Sequence, residues 1–216
     1  MIQNSKTVLV FGATGMVGKE LVSQLDQDQS IEKIICIVRR PVAFKEKKVT
    51  VEVVDFMNMD QHKDVFESVH SVFCCIGTTM KVAGSREAFQ IVDHYMPISV
   101  ARTAKEVGVQ SFSLVSSVSA YHKSKNFYLK VKGRVEQDLK KIAFDRLIIY
   151  RPALLAGDRK PFRFGEFTLT IFFRLFSIFV PKKFRIIHAK DLSNEMVRGF
   201  NDLGDGVHII ERDMIS

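Results

Sequence analysis

Residues 7–18 read TVLVFGATGMVG, and this stretch decides the fold. Its first five residues are a continuous apolar run of strand length. A glycine cluster follows, and from Met16 onward Val17, Leu21, Val22 and Leu25 recur at helical spacing. The order is strand, turn, helix. Gly12, Gly15 and Gly18 make the pattern G-x-x-G-x-x-G. In such a turn the first glycine permits a sharp change of direction and the second lets backbone approach a pyrophosphate. The third lets the helix pack on the strand, with the anion held at the helix N-terminus. Glycine triplets also arise by chance, so the reading rests on context: this one opens the first βα unit of an alternating chain. It predicts a dinucleotide site.

Outward from the turn, residues 33–38 (KIICIV), 49–54 (VTVEVV) and 71–76 (SVFCCI) read as further strands, the last one leading into Gly77. Residues 60–68 suggest a short helix, and 86–107 a long one interrupted near Pro97 and ended by Gly108. A fifth strand is expected at 111–116, an amphipathic helix at 127–142 and a sixth strand at 146–150. Continuous apolar strands imply a sheet covered on both faces. The alternation predicts an α/β fold, a doubly wound parallel sheet of the Rossmann kind with right-handed crossovers. After Arg151 the pattern becomes irregular. Residues 160–184 hold eight of the 18 phenylalanines, interleaved with Arg163, Arg174, Lys182 and Lys183. The expectation is one domain over residues 1–216, with 152–185 as a small substrate cap carrying an amphipathic helix near 166–179.

Composition narrows the function classes. The chain has 216 residues, 46% of them hydrophobic and 26% charged, enough apolar material for one α/β core. Its net charge of +8 is regional, because residues 121–190 hold 17 Lys+Arg against 5 Asp+Glu. No nucleic-acid-binding motif accompanies that excess, so phosphate handling for a small ligand is favoured over RNA or DNA. The longest apolar stretch, 167–180, carries Arg174 and is shorter than the roughly 20 residues that cross a bilayer. Neither a membrane span nor a signal peptide is expected. Cys36, Cys74 and Cys75 lie in apolar runs without metal-ligand spacing, which points to no metal site and a reducing, cytoplasmic compartment.

Arg39 and Arg40 stand at the end of the second strand, where an acidic residue would bind the ribose 2′-hydroxyl of NAD. A guanidinium pairs with a 2′-phosphate and a carboxylate repels it, so the cofactor expected is NADP(H). Asp55 and Phe56 close the third strand near the adenine position, and Gly77 and Thr78 follow the fourth near the pyrophosphate and ribose.

Reduction of a carbonyl needs a proton donor, and a tyrosine serves if a lysine on the same helix face stabilises its phenolate. Two pairs have i, i+4 spacing, Tyr121 with Lys125 and Tyr128 with Lys132. Only the second falls in the first turn of a helix. A serine to orient the carbonyl is available at Ser116 and Ser117.

At these residues the chain resembles the short-chain dehydrogenase/reductases in their extended or atypical branch. The shared features are GATGMVG, LVSS (114–117), Tyr128 with Lys132 and Glu136, the run Arg151, Pro152, Ala153, and HAKD (188–191). CCIGTT (74–79), FYLKVKGRVE (127–136) and FDR (144–146) are similar to the Tat-interacting oxidoreductase group. The resemblance implies NADPH contacts from Thr14, Gly15, Met16, Val17, Arg39, Arg40, Ile76, Gly77, Tyr128 and Lys132. It also places Leu154 near the nicotinamide, Pro152 in the cofactor-binding set and Ser117 on the catalytic serine. The family's relay asparagine has no counterpart in CIGTT (75–79).

Two functions follow. The first is an NADPH-dependent oxidoreductase acting on a small carbonyl-like substrate, with Ser117, Tyr128 and Lys132 as the catalytic set. The alternative is an NADPH-binding redox-sensing or scaffold protein with little or no turnover that works through a partner. A protein partner or a homodimer is open under either function. Lys81, Arg86, Lys123, Lys125, Arg159, Arg163 and Arg185 are expected to border the strands' carboxyl ends, where ligands bind, and favour an acidic or phosphorylated substrate.

Overall fold

The strand that opens the glycine turn, β1 (Lys6–Phe11), lies at the middle of a seven-stranded sheet because it is apolar on both sides. Leu9 and Phe11 enter the core on one face, and Val8 and Val10 enter the other. All four are fully buried, each burial worth roughly 2 kcal/mol in favour of this central position. The computed structural model describes residues 5–156 and 185–215.

Around β1 stand β2 (Ile31–Val38), β3 (Val49–Val53), β4 (Ser71–Cys74), β5 (Ser111–Val115), β6 (Arg146–Arg151) and a last strand, β9 (Gly206–Glu211). Their order is β3-β2-β1-β4-β5-β6-β9, every pair parallel. The sheet is the doubly wound one expected. Its order reverses between β1 and β4, the point at which sheets of this kind part their loops into a ligand crevice at the strands' carboxyl ends. A separate two-stranded pair joins β7 (Leu155–Ala156) to β8 (Ile187–His188).

On one face pack α1 (Met16–Gln27) and α6 (Ala189–Asp202), whose Leu21, Leu25, Leu192 and Met196 are buried against Phe73, Ile148 and Tyr150. The other face carries α4 (Met96–Glu106) and α5 (Phe127–Ile142), with Val100, Ala104, Val135 and Leu139 in that core. Two short helices, α2 (Met80–Ala83) and α3 (Arg86–Gln90), follow β4.

The differences from expectation have physical causes. The third strand is not covered on both faces: β3 is an edge strand pairing only with β2, and Val53 is 52% exposed. The helix expected at 60–68 is a 3₁₀ segment, Met59–Phe66, kinked at His62. The long helix does run from Arg86 to Glu106, but its break takes the form of a π turn, Ile91–Tyr95, ahead of Pro97. Proline has no N–H for the carbonyl of Asp93 four residues earlier, and the widened turn, with Met96 N–H donating to Ile91 O, absorbs that loss. Gly108, at φ +90°, ends the helix as expected. The strand β9, VHIIE with one preceding glycine, is not among the expected strands, because β6 and α6 are not joined by a simple βαβ rhythm. Arg159, Arg163, the phenylalanine cluster and the helix expected at 166–179 lie outside the described residues.

The approach of α5 to the preceding loop is closest at Gly133. A Cβ there would sit 2.2 Å from the carbonyl carbon of Tyr121 and from the backbone nitrogen of His122. Gly133→Ala is expected to lower the unfolding free energy by about 1–3 kcal/mol, read as a fall in denaturation midpoint. Gly204→Ala, with open space around the site, should shift it by no more than about 0.5 kcal/mol.

Candidate active site

The turn after β1 is built by glycines because backbone occupies the space where side chains would go. Gly12 has φ +76°, and a Cβ on it would lie 2.6 Å from the carbonyl carbon and oxygen of Cys75. At Gly18 a Cβ would lie 2.2 Å from Gly12 O, so the first turn of α1 rests directly on the strand end. Gly15 is the N-cap of α1 and donates its N–H to Gly12 O at 2.9 Å. No side chain caps this helix and no acidic residue occupies its first turn, which leaves its N–H groups and positive dipole end facing the crevice beside exposed Thr14. Ala13, Val17 and Gly18 are buried beneath them, and Met16 is half-buried.

Arg39 and Arg40 follow directly on the last residue of β2, beside the turn, and both are exposed. Neither makes a hydrogen bond or ion pair among the described residues. A groove of about 470 Å³ lined by Thr14, Lys19, Glu20, Ser23 and residues 42–46 lies on the same side. Asp55 shapes the next loop: its carboxylate accepts from Met57 N at 3.0 Å and from Asn58 Nδ2 at 2.8 Å. The Phe56 ring points into the core, 5.5 Å from Phe11 and edge-on to it, so toward a ligand this residue offers backbone. Ile76 is likewise buried.

Residues 75–77 link this turn to α5. Cys75 touches Gly12 as described, and at Gly77 a Cβ would lie 3.4 Å from Asp93 Oδ1 and 3.7 Å from Lys132 Nζ. Lys132 Nζ pairs with Asp93 Oδ1 at 2.8 Å, both side chains almost wholly buried. The other oxygen, Asp93 Oδ2, accepts the N–H of Thr78 at 2.9 Å. Burial works against the lysine's charge, but Asp93, with Tyr128 facing it from the same helix, more than offsets this and holds the ammonium above the usual lysine range. Asp93 is the residue that sequence reasoning missed. Its only signal was an acidic residue within an otherwise buried helix face four positions before a proline.

Tyr128 stands in the first turn of α5, capped by Asn126, whose side chain accepts from Leu129 N at 3.1 Å. Its ring rests on Phe89, with centroids 5.6 Å apart. Tyr121 is 53% exposed and lies before the helix with Lys125, so only the Tyr128 and Lys132 pair has a shared helix face. The serines divide. Ser116 donates a short hydrogen bond to the buried Glu136, which also receives Arg151 Nε at 3.0 Å, while Arg151 reaches Glu211 at 2.7 Å. Among the described residues Ser117 Oγ has only a 3.4 Å contact with Val118 O. Pro152 is buried, its carbonyl accepting from Val118 N at 2.8 Å, and Leu154 is 55% exposed just beyond it.

A family model described as NAD(P)H-binding matches residues 12–170. The chain belongs to this NAD(P)H-binding family. The protein HTATIP2 of Rattus norvegicus is 37% identical over 172 residues, spanning 78% of this chain and 71% of that protein. The mitochondrial protein FMP52 of Debaryomyces hansenii is 34% identical over 155 residues, 71% and 69% of the two chains. Among solved structures, WbmH of Bordetella bronchiseptica, in complex with NAD+, superposes with a TM-score of 0.72 at 18% identity, covering 96% of this chain and 76% of that one. A UDP-N-acetylglucosamine 4-epimerase from Methanobrevibacter ruminantium gives 0.71 at 15% identity over 96% and 77%. These two share the fold, a Rossmann-like sheet with flanking helices.

A dinucleotide fits the NAD(P)H-binding cradle of this chain. The glycine turn leaves its backbone bare, the uncapped helix end offers N–H groups, and Arg39 and Arg40, unpaired among the described residues, follow the neighbouring strand. Among the described residues no cluster of metal-ligating side chains occurs, and no helix is long and apolar enough to cross a membrane. Of the expected basic rim, Lys81, Arg86, Lys123 and Lys125 are exposed, with Arg86 stacked over the Phe127 ring at 5.1 Å. Arg185 is half-buried. Burial pushes the Cys36 and Cys74 thiols up to about 12 and raises Cys75 as well. At pH 8 the native protein should therefore give almost no reaction with a chromogenic disulfide reagent, and all three cysteines should react once it is denatured.

Proposed function

We propose that this chain is an NADPH-dependent reductase of the short-chain dehydrogenase/reductase type acting on a carbonyl compound. In this reading Tyr128 is the proton donor, Lys132 its charged partner and Ser117 the group that fixes the substrate oxygen. The observation that carries it is segment 75–77, which lies against Gly12 on one side and approaches Lys132 Nζ on the other. This supports a reading in which cofactor and proton donor share one crevice.

Gly12, Thr14, Gly15, Met16, Val17 and Gly18 would hold the pyrophosphate through backbone and the helix end. Arg39 and Arg40 would pair with the 2′-phosphate, with Asp55 and Phe56 at the adenine. Ile76, Gly77, Thr78, Pro152 and Leu154 would line the ribose and nicotinamide end. NADPH, when bound there, supplies the hydride. Ser117 Oγ donates to the carbonyl oxygen and holds it toward Tyr128, since Ser116 is already committed to Glu136. Tyr128 Oη gives its proton to that oxygen as negative charge develops on it. The ammonium of Lys132, kept charged by Asp93, favours the phenolate left behind. The exposed Lys81, Arg86, Lys123 and Lys125 suit an anionic substrate.

Tyr128→Phe is expected to lower kcat for NADPH oxidation over a carbonyl panel by roughly 10²- to 10⁴-fold, with NADPH affinity changed little. Tyr121→Phe should match the parent protein; equal turnover by all three proteins would remove Tyr128 from the mechanism. If the parent binds NADPH without oxidising it over any carbonyl, the sensing or scaffold reading replaces this one. Replacing Arg39 and Arg40 together by alanine should weaken NADPH, followed by its fluorescence, about 10- to 100-fold. NADH affinity should change only a few-fold.

A further inference from the structure

Asp93 contacts two separate elements, α5 and the segment after β4. It sits on the π turn Ile91–Tyr95, 1% exposed, and its two oxygens face different elements. Oδ1 pairs with Lys132 Nζ of α5 at 2.8 Å, and Oδ2 accepts the backbone N–H of Thr78, just beyond β4, at 2.9 Å. We infer that Asp93 is a positioning residue that couples the two halves of the site: one carboxylate fixes the Gly77–Thr78 backbone on the cofactor side and the lysine ammonium on the proton-donor side. This inference rests on the reductase reading for its kinetic consequence, and on geometry alone for the coupling.

The physical argument is that the two contacts need different things. Thr78 needs an acceptor, which an amide supplies as well as a carboxylate. Lys132 needs a negative charge. The groups around its ammonium are Asp93 from the π turn, Tyr128 from its own helix and Cys74 from β4. Of these, only Asp93 is a carboxylate, and the Cys74 thiol is held uncharged at neutral pH by burial. A buried lysine without a counter-charge loses its proton readily. Asp93→Asn therefore separates the two roles, and Asp93→Ala removes both.

The test uses the whole, cofactor-free protein and reads Lys132 through its ¹³Cε chemical shift from pH 6 to 11, with hydrogen exchange at the Thr78 amide. In the parent protein Lys132 should stay charged through pH 10 and the Thr78 amide should be protected. In Asp93→Asn the lysine should titrate at least one unit lower, a roughly tenfold change in its proton affinity, with Thr78 still protected. In Asp93→Ala protection should be lost too. Where turnover is measurable, the alkaline limb of kcat in Asp93→Asn should move to lower pH by the same amount, with KM for NADPH within about twofold. A role confined to packing would move neither titration nor limb. Lys132 titrating alike in parent and Asp93→Asn overturns the inference. If the variants do not fold, a parent protein whose Lys132 titrates below pH 10, or whose Thr78 amide exchanges freely, overturns it as well. A parent protein inactive on every carbonyl removes the reductase reading and leaves the titration and exchange results to decide the coupling.

Discussion

The end of β1 lies so close to the chain leaving β4 that not even a methyl group fits between Gly12 and Cys75. These strands are neighbours in the sheet although β2 and β3 intervene in the sequence, so their outgoing loops must part company at the crevice. The turn after β1 goes toward α1, and residues 75–77 run the other way toward α5. A side chain at Gly12 would push the two strand ends apart and take residues 75–77 away from Lys132. A second close approach, at Gly133, sets α5, which carries Tyr128 and Lys132, against the loop from β5. Bare backbone at two points sets how these segments approach one another.

Helix α5 presents a stripe of buried charge to the sheet. Lys132 and Glu136 are four residues apart, and each is answered from another element, the lysine by Asp93 and the glutamate by Arg151 of β6 and the hydroxyl of Ser116. Ionic groups taken out of water cost several kcal/mol unless paired and hydrogen-bonded, so such a stripe persists only with its partners. The pairs also sort the adjacent serines, tying Ser116 into the framework while Ser117 keeps only a weak contact.

Much of this was legible in the sequence because it depended on local order. The glycine turn, the parallel strands and the helical spacing of Tyr128 with Lys132 are each contained in a few consecutive residues. What escaped depended on contacts between distant segments. Asp93 lies opposite Lys132, 39 positions along the chain, and an acidic residue ahead of a proline does not disclose what it will face. The apolar run at 49–54 could not disclose that it lay at an edge, because edge and centre differ in neighbours and not in spacing. Ser116 and Ser117 were indistinguishable until the strand end fixed which hydroxyl met Glu136, and the inward turn of Phe56 depended on Phe11.

The π turn at Ile91–Tyr95 sets a phase between the two ends of its helix. It carries one residue more than α-helical winding allows, and each residue of a helix corresponds to about 100° of rotation. Loss of that residue would swing Arg86–Gln90 round the axis relative to Met96–Glu106, carrying Phe89 off the rings of Phe127 and Tyr128. The chain between Ser85 and Pro97 therefore has a fixed count, and even a one-residue insertion or deletion there would put the support of Tyr128 out of phase with the sheet.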